Sequence, residues 1–157
     1  MNTLFSSLSR RSFSAAQKMK PFDNYRFIVT GCQGQLGVPL VRALCQEVGQ
    51  DNVLATDMGE QLFDFDCKYE TLDITDSDRY NKLVKDNKID YIVHLAGILS
   101  ALGERNPDLA IEVNAYGSIN ALKIAREHKA KVYIPSTIGV FGGDVFEKHP
   151  TPVDSIL

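Results

Sequence analysis

Residues 24–157 predict an α/β fold, a doubly wound parallel sheet covered by helices on both faces, and three observations carry that prediction. Short apolar bursts alternate with longer stretches of helical period, the bursts are apolar almost throughout, and the first burst runs straight into a glycine-rich turn. Alternation of strand-length and helix-length segments is the pattern of β-α-β units. Strands that lack in-out polarity are strands buried on both faces.

The elements follow in chain order. Strands are expected at residues 25–30 (YRFIVT), 52–57 (NVLATD), 69–74, 89–95 (IDYIVHL) and 131–135. Helices are expected at 35–48, at 77–87 with Thr75 or Asp76 as the cap, and at 107–128. Internal repeats and low-complexity segments are absent. After Thr137 the composition turns irregular, with Gly139, Gly142, Gly143, Pro150 and Pro152, and Leu157 falls in what reads as a loop.

The chemistry concentrates between the first strand and the first helix, in Gly31-Cys32-Gln33-Gly34-Gln35-Leu36-Gly37. A Gly-x-x-Gly-x-x-Gly turn at that place lets the backbone bend sharply and lets a pyrophosphate approach free N–H groups at the helix N-terminus. The domain is therefore expected to be of Rossmann type and to bind a dinucleotide. Asp57 ends the second strand, twenty residues after Gly37, with no Arg or Lys in the next several positions. A carboxylate there accepts bonds from the adenosine ribose hydroxyls and repels a 2′-phosphate, which favours NAD over NADP. Asp73, in Leu72-Asp73-Ile74-Thr75, either faces the adenine amino group or begins the next helix. Cys32 reads as a small filler beside the phosphates rather than as a reactive thiol at a helix N-terminus.

Composition narrows the classes. The 157 residues are 44% hydrophobic and 24% charged, enough for one ordinary core and too few for a large two-domain enzyme. Seventeen basic against twenty acidic residues give a net charge of -3, which offers no nucleic-acid footprint, and no membrane span is expected. Cys32, Cys45 and Cys67 form no C-x-x-C pair and the three histidines stand apart, so neither a disulfide framework nor a metal site is expected. Free thiols of this kind suit a reducing compartment. Residues 1–20 hold Arg10, Arg11, Lys18, Lys20 and five serines but no acid, so the rest carries 13 basic and 20 acidic residues, a net -7. An acid-free, Arg-bearing and Ser-rich leader is the composition of a mitochondrial transit peptide, and the serines interrupt any secretory apolar core. Arg11-Ser12-Phe13-Ser14 is similar to the surroundings of matrix-protease cleavage sites, and Met19 offers a start for a shorter cytosolic form.

With that glycine spacing, the chain resembles the extended short-chain dehydrogenase/reductase superfamily, and the likeness continues in order. His94-Leu95-Ala96-Gly97 looks like its cofactor-flanking segment and Asn114-Ala115-Tyr116-Gly117-Ser118-Ile119-Asn120 like its Asn-x-x-Gly-x-x-Asn helix. Pro135-Ser136-Thr137-Ile138-Gly139-Val140-Phe141-Gly142 looks like the segment carrying its catalytic hydroxyl. Two stretches, that one and Leu99-Ser100-Ala101-Leu102-Gly103-Glu104, resemble more narrowly the short-chain L-threonine 3-dehydrogenases. These enzymes, mitochondrial in animals and many other eukaryotes, oxidise the threonine β-hydroxyl with NAD to 2-amino-3-ketobutyrate.

The resemblance implies catalytic hydroxyls at Ser100 and Thr137, which by themselves would read as ordinary groups bonding nearby backbone. It implies an NAD groove made of Gly31, Gly34, Gln35, Leu36, Gly37, Asp57, Asp73, Ile74, Leu95, Ala96 and Asn114. It also implies L-threonine as a small-molecule substrate and a homodimer when full length. The family's base is a Tyr with a Lys four residues on. Four residues past the six tyrosines stand Val29, Asp73, Val84, Leu95, Asn120 and Thr137, so the pair is expected beyond Leu157. The expectation is an N-terminal portion of such an enzyme, truncated before the C-terminal substrate-binding region and inactive alone. Two other readings stay open: a nucleotide-sugar epimerase or dehydratase, which shares the glycine turn, and a non-catalytic NAD-binding module, which the missing pair favours.

Overall fold

A computed structural model of the chain describes Phe22 and residues 24–137. The expected transit peptide and the Gly- and Pro-bearing stretch after Thr137 lie outside the described residues. The strands are β1 (Phe27–Thr30), β2 (Val53–Asp57), β3 (Lys68–Thr71), β4 (Tyr91–His94) and β5 (Lys131–Tyr133). All neighbours pair in parallel, in the order β3-β2-β1-β4-β5. From β1 the chain winds outward through β2 and β3, then crosses back to lay β4 against the other edge of β1. The strand order reverses there, and at such a switch point a crevice opens beyond the carboxyl ends of the strands.

The helices are α1 (Gly37–Val48), α2 (Ser77–Asp86), α3 (Ser100–Arg105), α4 (Pro107–Ala110) and α5 (Gly117–His128), with a π-helical turn at Ile111–Tyr116 joining the last two. Successive strand residues point to opposite faces, so the sheet divides its apolar side chains between two cores. Ile28, Leu54 and Ile92 pack with Tyr80, Leu83 and Val84 of α2 and Ala121, Ile124 and Ala125 of α5. Phe27, Val29, Val53, Ala55 and Val93 pack with Val41 and Leu44 of α1. Both faces of β1, β2 and β4 are buried, which is why those strands read as continuous apolar runs, whereas the edge strands β3 and β5 are partly exposed and carry Lys68, Glu70 and Lys131.

Differences from the sequence expectations have local causes. The third strand stops at Thr71 rather than Ile74 because Asp73 Oδ1 accepts both the Thr75 N–H (2.9 Å) and the Thr75 hydroxyl (2.8 Å), turning the chain away. Asp76, not Thr75, caps α2 by accepting the Arg79 N–H at 3.0 Å. The first helix begins at Gly37, leaving Gln35 and Leu36 in the turn. The expected helix at 107–128 is continuous but changes winding at Ile111, which a 3.6-residue period cannot reveal. The short α3 was not expected; Gly103 brings it against α4, where an added Cβ would lie 3.3 Å from Ala110 Cβ.

One buried polar residue couples this packing to pH. His94, at the end of β4, is 2% exposed, its Nδ1 lies 2.9 Å from Thr30 Oγ1, and its ring stacks on Tyr80. Burial pushes its pKa from 6.5 down to about 4, so the folded protein holds it neutral. Below pH 6.5 the unfolded chain takes up the proton first, so stability present above that pH is lost as the pH falls toward 4, by on the order of 3 kcal/mol. Denaturant unfolding followed between those pH values should show a shallower decline for His94→Asn than for the parent. Parallel curves would mean that His94 does not carry this dependence.

Candidate functional site

The site starts from the turn after β1. Gly31 has φ +69°, and a Cβ there would lie 2.6 Å from Ala96 N and 2.8 Å from Leu95 C. The turn thus crosses in backbone contact over the chain leaving β4, which only glycine permits. At Gly37 a Cβ would meet Gly31 O at 2.3 Å and Cys32 O at 2.6 Å, so α1 starts directly on the turn. Gly34 is different: its Cβ would stand 3.3 Å from Gly31 O, and the residue faces open space. Cys32 is fully buried, and burial reinforced by the Asp57 charge pushes its thiol up to about 12. That makes it a filler of the core rather than a nucleophile.

Beyond the turn lies a cavity of about 640 Å³, of the size that holds small organic ligands. Its lining includes Gly31, Gly34, Asp57, Asp73, Ile74, Leu95 and Ala96 of the expected groove. Gln35 and Leu36 are exposed in the turn and Gly37 is buried beneath it. Asp57 Oδ2 accepts the Gln33 N–H and Oδ1 accepts the Met58 N–H, each at 2.9 Å. One carboxylate thus ties the glycine turn to the end of β2, and each oxygen retains a second lone-pair direction for a hydroxyl donor.

The two asparagines of the Asn-x-x-Gly-x-x-Asn segment pin the two walls. Asn114, in the π-helical turn, accepts the Ile98 N–H at 2.7 Å and donates to Ile98 O at 3.0 Å, as a neighbouring strand would. Its amide is engaged with protein backbone, and it acts on the cavity through the chain after β4. Asn120 donates to Ile74 O at 3.1 Å and so holds the opposite wall. Gly117 between them lies under the Ile74 side chain, whose Cδ1 would stand 2.5 Å from an added Cβ and would have to turn away. Of the two expected hydroxyls, Ser100 opens α3 beyond the carboxyl end of β4, and Thr137 is exposed beyond that of β5.

Residues 27–155 match the model of the NAD dependent epimerase/dehydratase family. The chain belongs to this family. It is 44% identical over 131 residues to an uncharacterized epimerase/dehydratase of Staphylococcus aureus, covering 81% of this chain and 40% of that one. It is similar to a monomeric L-threonine 3-dehydrogenase of metagenomic origin, with 44% identity and a TM-score of 0.71, over 76% of this chain and 38% of the other. It is also similar to the L-threonine dehydrogenase of Clostridium difficile, with 35% identity and a TM-score of 0.78, over 84% and 42% of the two chains. The chain spans 40% of the length of the curated relatives it matches.

The chain is a member of the epimerase/dehydratase family with its glycine turn and Asp57 at one cavity, together with lining the sequence did not reveal. Residues 58–62 form a wall beside Asp57, and Leu102, Leu109 and Val113 reach the cavity from α3, α4 and the π-helical turn. No composition signal marked these residues. Among the described residues no cluster of His, Cys, Asp and Glu is placed to hold a metal ion, and no helix is long and apolar enough to cross a membrane.

The glycine contacts separate folding from binding. Gly37→Ala forces a Cβ into backbone and should lower stability by about 1–3 kcal/mol or more in denaturant unfolding. Gly34→Ala needs a shift of only a few tenths of an ångström and should fold, yet lose at least roughly tenfold in dinucleotide affinity by calorimetry, since its Cβ occupies the phosphate approach. Equal losses of stability in both variants would contradict this division.

Proposed function

We propose that this chain supplies the NAD-binding portion of an NAD-dependent L-threonine 3-dehydrogenase. The observation that carries the reading is the cavity itself: a glycine turn for its floor, Asp57 at one end, and no Lys or Arg among the described residues that line it. The residues fit the cofactor. Gly34 and the start of α1 leave backbone open to a pyrophosphate, Asp57 has acceptor capacity for ribose hydroxyls, Asp73 and Ile74 bound the adenine side, and Leu95 and Ala96 flank the nicotinamide side. NAD, when bound, accepts the hydride from the carbon that bears the substrate hydroxyl. The likeness to two threonine dehydrogenases supports threonine as that substrate.

In this reading Ser100 and Thr137 offer hydroxyls to the substrate at the carboxyl ends of β4 and β5, and Asn114 fixes the chain between them and the cofactor. This reading needs a proton acceptor, a Tyr with a Lys four residues on, and none of the six tyrosines of residues 1–157 has that Lys. A positioned base contributes about 10²- to 10⁴-fold, so residues 1–157 alone are expected to be inactive. The curated relatives' epimerase/dehydratase names favour a second reading, a nucleotide-sugar substrate on the same NAD site. Two further proposals accompany the first. Residues 1–20 direct the protein to the mitochondrial matrix, supported by their acid-free Arg and Ser composition. The full-length protein is a homodimer, supported by the exposed Tyr116, Ile119 and Leu122 at and along α5; one threonine dehydrogenase relative is described as monomeric, so sedimentation is the deciding measurement.

The test uses calorimetry on the 157-residue chain and NADH formation in a version extended by the C-terminal portion of the S. aureus relative. The chain should bind NAD at least roughly tenfold more tightly than NADP, because a 2′-phosphate would face Asp57 without a neighbouring cation. The extended enzyme should reduce NAD with threonine and not with nucleotide sugars. Binding without threonine oxidation would remove the substrate, and equal affinity for both dinucleotides would remove the role of Asp57.

A further inference from the structure

Residues 58–62 run as an irregular strap along the acidic end of the cavity, contributing Met58, Gly59, Glu60 and Leu62 to its lining. Apolar packing does not hold the strap, since Met58 is 70% and Leu62 78% exposed. Hydrogen bonds from outside hold it. Gln33, inside the glycine turn, donates from Nε2 to Glu60 O at 3.0 Å and accepts the Leu62 N–H on Oε1. Its second Nε2 hydrogen points to the Tyr69 hydroxyl at 3.3 Å, and that hydroxyl donates to Gly59 O at 2.6 Å. Burial, with Cys32 and Asp57 nearby, pushes the Tyr69 pKa up to about 12, so the hydroxyl keeps its proton and remains a donor. Every donor and acceptor direction that Gln33 needs to bridge turn, strap and β3 is therefore used.

We propose that Gln33, backed by Tyr69, is a latch that holds the 58–62 strap against the ribose end of the cavity and sets discrimination against a 2′-phosphate. The inference rests on the dinucleotide reading of the cavity and adds to it a positioning residue outside the glycines and Asp57. With the strap held, a 2′-phosphate would face Asp57 and Glu60 in a wall that has no Lys or Arg among the described residues. With the strap released, the phosphate could turn toward water, and the ribose would lose its wall. A residue inside the phosphate turn thereby controls a wall 25 or more positions away in sequence.

ADP-ribose and its 2′-phosphorylated form are the probes, because they test the adenosine end alone. Calorimetry on the 157-residue chain and its Gln33→Leu and Tyr69→Phe variants is paired with hydrogen exchange of the ligand-free proteins. In Gln33→Leu the Leu62 amide should exchange about tenfold faster while core amides are unchanged, ADP-ribose affinity should fall about tenfold, and the preference over the 2′-phosphorylated probe should narrow by a similar factor. Tyr69→Phe should move the same quantities in the same direction by less. Failure of the parent chain to bind ADP-ribose would overturn the cofactor reading and the latch with it. Binding by the parent with unchanged selectivity in both variants would overturn the latch alone. Faster exchange across the whole of Gln33→Leu, with Tyr69→Phe unaltered, would likewise overturn it by reducing Gln33 to a folding role.

Discussion

The contact on which the rest depends is the crossing of the β1 turn over the chain leaving β4, where Gly31 meets Ala96 backbone with no room for a Cβ. Neighbouring bonds lock the crossing: the Leu95 N–H reaches Thr30 O at 3.0 Å and the Ala96 N–H reaches Thr30 Oγ1 at 3.4 Å. Because β1 and β4 are adjacent only where the strand order reverses, this contact sits at the switch point and forms the floor of the cavity. A side chain at Gly31 would separate the strands' carboxyl ends, and the cavity's two walls would lose their common base. His94 is drawn into the same arrangement through Thr30, so the neutral imidazole is a consequence of how tightly the crossing is packed.

Above that floor, the walls are held by polar side chains directed at backbone. Asn114 grips Ile98, Asn120 grips Ile74, Asp57 joins Gln33 to Met58, and Gln33 grips the strap. Loops that line a cavity carry backbone groups without a ladder partner, and each such group left unmet in a closed site costs free energy. Amide side chains answer this because one amide offers both a donor and an acceptor, as a strand neighbour does. Walls fixed before a ligand arrives spare the ordering cost at the moment of binding. These polar residues bind protein backbone and shape the cavity through it.

That division explains which features were legible. The central strands β1, β2 and β4 could be read because burial on both faces leaves a continuous apolar run, and the glycine turn because backbone contacts demand Gly31 and Gly37. Asp57 was legible from its position at the end of β2. Asp73 was left between two roles, and the structure shows why both signals were present: its carboxylate turns the chain at Thr75 while the residue stays on the cavity rim. Gln33 was invisible because its partners lie at Glu60, Leu62 and Tyr69, and a lone glutamine between glycines has no periodicity. Asn114 was assigned to the groove by likeness, and only the tertiary pairing with Ile98 reveals that it works through backbone. The π-helical winding was equally hidden, since the helical residues continue on both sides of Ile111–Tyr116 and a 3.6-residue period does not mark the change.

The two ends of the cavity are built to different degrees. At the Asp57 end, that carboxylate, the strap and the glycine turn are joined by hydrogen bonds that close on one another, and β1 to β3 are paired along their lengths. At the other end stand Ser100 and Thr137, beyond β4 and β5, and β5 is the edge strand among the described residues, with Lys131 and Tyr133 exposed. An exposed strand edge presents unpaired backbone groups and is normally covered by a neighbour. Bonds among the described residues thus fix the Asp57 end of the cavity, whereas the outer edge of β5 pairs with no strand among them, so the order of the sheet is built outward from the β1 turn.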